Sequence, residues 1–178
     1  MLPALLLPLL AFLVLACTGG TPETADPDGA DDGPGTTVIY LSRHAEKAGG
    51  EDPGLLPAGR ARAQRIAAKL PTDRIRAVYA TGLRRTQATA APTAERAGVP
   101  VRDYSFSAAA GTLTEGWLRE HRGQTILVVG HSNTVPDLLN ALVGERRYSN
   151  IAEDNYGLLY KVSVNARGRA RVREMTSD

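Results

Sequence analysis

The sequence predicts an α/β fold: a three-layer α/β/α sandwich whose central sheet is mostly parallel and closes with an antiparallel hairpin. Three observations carry this. Strand and helix signals alternate from residue 37 to residue 143, the pattern of a sheet covered by helices on both faces. The runs Val38-Ile39-Tyr40-Leu41 and Thr125-Ile126-Leu127-Val128-Val129 are continuously apolar, as strands buried on both faces are. Near the end, the segments 157–164 and 170–175 flank Asn165-Ala166-Arg167-Gly168, a turn signal between two strands.

The elements follow in order. The first strand lies within 37–47 and ends in Arg43-His44-Ala45-Glu46-Lys47. A loop rich in Gly and Pro (48–57) leads to a helix over 58–70, where Ala61, Ile66, Ala67 and Leu70 recur at near-helical spacing before Pro71 stops it. A short strand covers 75–79. The helix over 83–97 is expected to be interrupted or bent at Pro92 and to stop at Gly98. Residues 99–104 form a short strand or an extended connection. An amphipathic helix over 107–122 carries Leu113, Trp117, Leu118 and His121 on one face. After the strand 125–129, the helix 134–143 tolerates Pro136 in its first turn. Residues 150–156 are a polar loop.

The chain before residue 37 has a different character. Residues 1–16 are uncharged and almost wholly Leu, Ala, Val, Pro and Phe, which fits the apolar region of a secretory signal. Val14-Leu15-Ala16-Cys17 resembles a bacterial lipobox, so residues 1–17 are expected to direct export and Cys17 to be lipidated. The protein is then expected at the cell envelope, held to a membrane by its N-terminal lipid. Cys17 is the only cysteine, which excludes a disulfide framework and a Cys-rich metal site. Residues 18–36 hold Gly, Pro, Thr, Ala and acid without one large apolar side chain, and are expected to be a disordered acidic tether. The folded domain is expected over 37–178.

This division changes the charge balance. All 21 Lys and Arg lie beyond residue 36, whereas five of the 19 acids, Glu23, Asp26, Asp28, Asp31 and Asp32, lie before it. The domain therefore carries a formal net charge of +7, against +2 for the whole chain. Such a domain suits an anionic ligand. Nucleic acid is not the expected partner: Arg60, Arg62, Arg65 and Lys69 read as a solvated helix face, and no aromatic residues interleave with them. Arg167, Arg169, Arg171 and Arg173 alternate along the last strand as a charged edge.

Three strand ends carry reactive side chains. The first gives Arg43-His44, the second is followed by Thr81-Gly82-Leu83-Arg84-Arg85-Thr86, and the strand ending at Val129 by Gly130-His131-Ser132-Asn133. If these strands are parallel neighbours, two imidazoles and at least one guanidinium meet beyond their carboxyl ends, where open sheets bind ligands. Helix N-termini follow two of them and favour an anion. Arg offers a planar fork to phosphate oxygens, and neutral imidazole can attack phosphorus. A metal site of two His and one carboxylate (His44, His131, Glu46) is the competing arrangement, opposed by the adjacent arginines. His121 has no such company and reads as structural or surface.

These blocks resemble the histidine phosphatase superfamily, the group that includes phosphoglycerate mutase-like enzymes and acid phosphatases. Its Arg-His-Gly signature is matched by Arg43-His44-Ala45, in the Arg-His-Ala-Glu-Lys form of its small bacterial members. Its Ser-Pro-Leu-x-Arg-Ala-x-x-Thr-Ala segment is matched by residues 81–90, and its Gly-His-Ser by Gly130-His131-Ser132. The resemblance implies a phosphoglycerate mutase-like sandwich and a phosphomonoester hydrolase with no metal or organic cofactor. It implies His44 as the nucleophile that becomes phosphorylated, with Arg43, Arg85 and His131 holding a small phosphorylated substrate. Arg84 competes with Arg85, but Arg85 aligns with the family's arginine. The inserted segment that usually supplies the proton donor is missing. Glu115 is the candidate taken here, with Glu46 and Asp52 beside it. Protein phosphohistidine phosphatase activity is the nearest alternative, and a non-catalytic phosphate-binding lipoprotein the alternative of another class.

Overall fold

The computed structural model describes residues 35–178, so the expected signal, Cys17 and nearly all of the tether lie outside the described residues. Of the two described residues assigned to the tether, Gly35 is exposed and Thr36 is buried. Among the described residues no helix is long and apolar enough to cross a membrane.

Ten elements build the domain: β1 (Thr37–Arg43), α1 (Pro57–Lys69), β2 (Ile75–Ala80), α2 (Arg84–Ala97), β3 (Val101–Asp103), α3 (Ala110–Glu120), β4 (Thr125–Gly130), α4 (Thr134–Val143), β5 (Leu158–Val164) and β6 (Ala170–Thr176). The six strands form one sheet in the order β3-β2-β4-β1-β5-β6. β1 to β4 run parallel, and β5 and β6 close the sheet antiparallel. Every residue of β1 is buried, as its unbroken apolar run requires.

The pleat of β1 divides its side chains between two cores. Ile39 and Leu41 pack with Ile126, Val128, Trp117 of α3 and Leu138 and Leu139 of α4. Val38 and Tyr40 pack on the other face with Leu127, Ile66 of α1, and Ala90 and Ala94 of α2. Fully burying one such aliphatic side chain contributes roughly 1.5–3 kcal/mol. The expected sandwich is therefore present, with α1 and α2 on one face and α3 and α4 on the other.

The expected elements differ from the observed ones in particular places. α2 runs through Pro92 as one helix and stops at Gly98, which adopts φ +67°. α3 begins at residue 110 and not at 107, because Ser105 and Ser107 bond each other and Ala108 bonds back to the Ser105 carbonyl, so the segment turns before it coils. The basic face of α1 is not simply solvated. Arg62 holds Glu46 and Asp178, Arg65 holds the Ser177 carbonyl, Lys69 the Thr176 carbonyl and Arg60 the Leu55 carbonyl. This helix fastens the loop after β1 to the end of β6.

Candidate active site

β1 and β4 lie side by side in register, with Arg43 opposite Gly130. The next residue of each strand is a histidine, so parallel pairing alone sets His44 beside His131. Their ring centroids are 5.6 Å apart, edge to face. The backbone N–H of His44 donates to the Gly130 carbonyl at 2.9 Å, fixing the two strand ends to each other. Only glycine fits at 130, since a Cβ there would stand 2.7 Å from Thr134 Oγ1 and 2.8 Å from the Tyr104 hydroxyl.

Above these ends lies a cleft of about 340 Å³, walled by Arg43, His44, Arg85, His131 and Glu153 together with Lys47, Leu83, Phe106 and residues 132–134. The N-termini of α2 and α4 border it; neither N-cap residue, Leu83 or Asn133, caps its helix with its own side chain, and on α2 Asp52 takes the Arg84 N–H.

The hydrogen bonds determine which nitrogen of each histidine is open. His44 Nδ1 lies 2.9 Å from the Ala45 carbonyl. A carbonyl only accepts, so Nδ1 carries the proton and Nε2 keeps its lone pair. Nε2 has no hydrogen-bond partner among the described residues. His131 Nε2 lies 3.0 Å from Thr81 Oγ1, which lies 2.8 Å from Thr86 Oγ1, which reaches the carbonyls of Thr81 and Leu83. One ordered chain satisfies all of these: Nε2–H donates to Thr81, Thr81 to Thr86, and Thr86 to the carbonyls. His131 Nδ1 is left without a partner among the described residues.

Both imidazoles are kept neutral. Burial, followed by the positive charges of Arg43, Arg85 and Lys47, lowers the His44 pKa from 6.5 to about 4 against the opposing bond to Ala45. Burial and then Arg85, His44 and Arg43 lower that of His131 to about 4 as well. A neutral imidazole with a bare Nε2 is a competent nucleophile at ordinary pH.

Arg43 is almost wholly buried and is gripped by the loop 150–156. Its NH1 donates to the carbonyls of Ala152 (2.8 Å), Glu153 (3.0 Å) and Asn155 (3.2 Å), its NH2 to Glu153 Oε2 (3.1 Å), and Tyr156 lies 4.4 Å from its guanidinium carbon. Among the described residues its Nε–H has no partner, and neither does the buried Nε–H of Arg85. Two orphaned guanidinium donors on one cleft are costly unless a ligand fills them. Arg85 forms part of the cleft wall, whereas Arg84 is exposed outside it.

The three carboxylates considered as proton donors are not in the cleft wall. Glu46 turns away to Arg62, which takes both its oxygens; burial raises its carboxyl pKa, but the bonds from Arg62 outweigh this and hold it below the usual range. Asp52 accepts the Arg84 backbone N–H at 3.0 Å. Glu115 is exposed on α3. The carboxylate that does line the cleft is Glu153, in a loop whose sequence showed only polarity. Its one signal was position: the loop follows the last helix and must return across the sheet edge to start β5. Among the described residues no three His, Cys, Asp or Glu side chains gather as a metal site.

Residues 39–106 match the family model of the histidine phosphatase superfamily (branch 1). No curated protein sequence matches the chain. Among solved structures, the fold is similar to a phosphoserine phosphatase mutant from Entamoeba histolytica bound to phosphoserine, with a TM-score of 0.62 and 15% identity over 80% of this chain and 97% of that one. It is similar to a mycobacterial glucosyl-3-phosphoglycerate phosphatase, with a TM-score of 0.61 and 14% identity over 79% and 98%. It is also similar to the protein histidine phosphatase SixA complexed with tungstate, with a TM-score of 0.59 and 16% identity over 79% and 97%. These likenesses establish the phosphoglycerate mutase-like fold.

Proposed function

We propose that this chain, with its histidine phosphatase superfamily match and fold, is a phosphatase that hydrolyses phosphate monoesters through a phosphohistidine on His44. The observation that carries the reading is the pairing of a neutral His44, whose Nε2 is open, with two arginines whose buried Nε–H donors are unfilled. In the first step His44 Nε2 attacks phosphorus and the ester oxygen leaves with its electron pair. Arg43 and Arg85 hold the non-bridging oxygens, where charge develops, and His131 joins them when its Nδ1 takes up a proton beside the phosphate dianion. The His44 Nδ1–H keeps its bond to Ala45 throughout, orienting the ring and stabilising the cationic phosphoimidazole. Water then attacks phosphorus, the P–N bond breaks and phosphate leaves.

No step calls on a metal or organic cofactor. The substrate is a small phosphorylated anion. The protein is placed at the cell envelope through lipidation of Cys17, which labelling with a radioactive fatty acid would test: label that persists in Cys17→Ser ends that part of the reading.

The central test uses the soluble domain and para-nitrophenyl phosphate in the presence of EDTA. Turnover that survives the chelator and is lost in His44→Ala, with an acid-labile, base-stable phosphoprotein trapped in rapid-quench experiments, is the expected result. Phosphate binding without turnover would move the protein to the class of binding lipoproteins.

A further inference from the structure

We propose that Glu153 is the catalytic acid that protonates the leaving oxygen and, after it departs, the base that takes a proton from the attacking water. The inference rests on the phosphatase reading of the same cleft. Among the described residues, Glu153 is the one carboxylate in the cleft wall. Glu46 is consumed by Arg62, Asp52 by the α2 N-terminus, and Glu115 stands on the exposed side of α3.

The structure separates a fixed backbone from a movable side chain. The loop is held by the carbonyls of residues 152, 153 and 155 on Arg43 NH1, by the Ile151 N–H on the Ser132 carbonyl at 2.9 Å, and by Tyr156 over the guanidinium. None of these anchors uses the Glu153 carboxylate. That group is 83% exposed, accepting from Arg43 NH2 at 3.1 Å and from Ser132 Oγ at 3.3 Å. It can swing without unseating the loop.

The carboxylate therefore occupies the Arg43 NH2 that a phosphate oxygen would claim. A phosphate dianion, drawn in by Arg43, Lys47 and Arg85 and seated between His44 and His131, competes for that NH2 and displaces it. The displaced carboxylate takes up a proton from solvent as the substrate binds. When the P–O bond breaks, its proton passes to the ester oxygen and an alcohol leaves. The resulting carboxylate takes a proton from water as that water attacks phosphorus and the P–N bond breaks. As phosphate leaves, that proton returns to solvent and the carboxylate to Arg43, so both residues end as they began.

The test compares wild type, Glu153→Gln and Glu153→Asp on p-nitrophenyl phosphate, whose leaving group needs little protonation, and on glycerol 2-phosphate, whose alkoxide needs much. Circular dichroism and melting temperature establish that the variants fold. In Glu153→Gln, kcat/KM on the alkyl ester should fall about 10²–10³-fold, and on the aryl ester by less than about tenfold. Glu153→Asp should recover part of the difference. An equal loss on both esters would reduce Glu153 to a positioning residue for Arg43, and a gain on both would make it only a plug; either overturns the proposal. A wild type that turns over neither ester, and matches His44→Ala, would instead defeat the phosphatase reading itself.

Discussion

Two buried histidine sites lie at different places on one sheet, and they differ in how many ring nitrogens the protein uses. Behind β2, His121 is as buried as His44, but both of its nitrogens are used. Nδ1 donates to Gln124 Oε1 at 3.1 Å, and Nε2 accepts from the Tyr79 hydroxyl at 2.8 Å, within an aromatic cluster that includes Trp117. At the carboxyl ends of β1 and β4, His44 and His131 each use one nitrogen and leave the other open. A closed histidine is a polar filler of the core. An open one, set among cations, has a nitrogen free to meet an anion. Burial alone does not separate them.

The sharpest way to break the contrast is to delete the two rings. His44→Ala should lose at least about 10⁴-fold in kcat at an almost unchanged melting temperature. A variant that kept turnover would erase the distinction. Arg85→Ala should cost about 10²–10³-fold in kcat/KM and weaken competition by inorganic phosphate, since it removes a donor aimed at developing charge. Thr81→Val breaks the hydroxyl chain that orients His131. It should lower kcat by about tenfold and recover in Thr81→Ser, whereas a purely structural hydroxyl would change stability alone.

The pH dependence sharpens the contrast further. His44 and His131 protonate near pH 4 when folded but near 6.5 when unfolded. Between these values the unfolded chain binds more protons, so stability should be complete above about pH 6.5 and decline as pH falls towards 4. The acid limb of kcat/KM contributed by His44 should likewise lie near 4. Urea midpoints and rate profiles across this range check both signs. The smallest catalytic effect belongs to His121→Ala: kcat/KM within about twofold, with a stability loss of about 1–3 kcal/mol from the lost hydrogen bonds to Tyr79 and Gln124, measured by urea denaturation.

Much of this was legible in the chain. The unbroken apolar runs identify β1 and β4, and the residues that end them, Arg43-His44 and Gly130-His131, become neighbours once those strands pair in parallel. Helix α4 covers the same residues in sequence and structure, because its apolar spacing and stops agree. Long-range partners were not legible. Arg62 reads as surface charge until the fold brings Glu46 and Asp178 to it. Glu153 lies 109 residues from His44 in a loop with no periodicity, and only the return path from α4 to β5 sets it over Arg43. Glu115 has the right chemistry on an amphipathic helix, but residue type does not tell which rim of the sheet a helix turn faces.

The strand order has a consequence in time as well as in space. The strand that leads to His44, β1, is made before the other strands of the sheet, yet its two neighbours are β4 and β5, which end at residues 130 and 164. Pairings so distant in sequence form slowly, because the long intervening loop must be closed before any contact rewards it. On the ribosome, Val38-Ile39-Tyr40-Leu41 must wait for most of the domain to emerge before either edge is covered. The part of the molecule that would carry the chemistry is begun first and finished last, and during synthesis it is the segment most in need of protection.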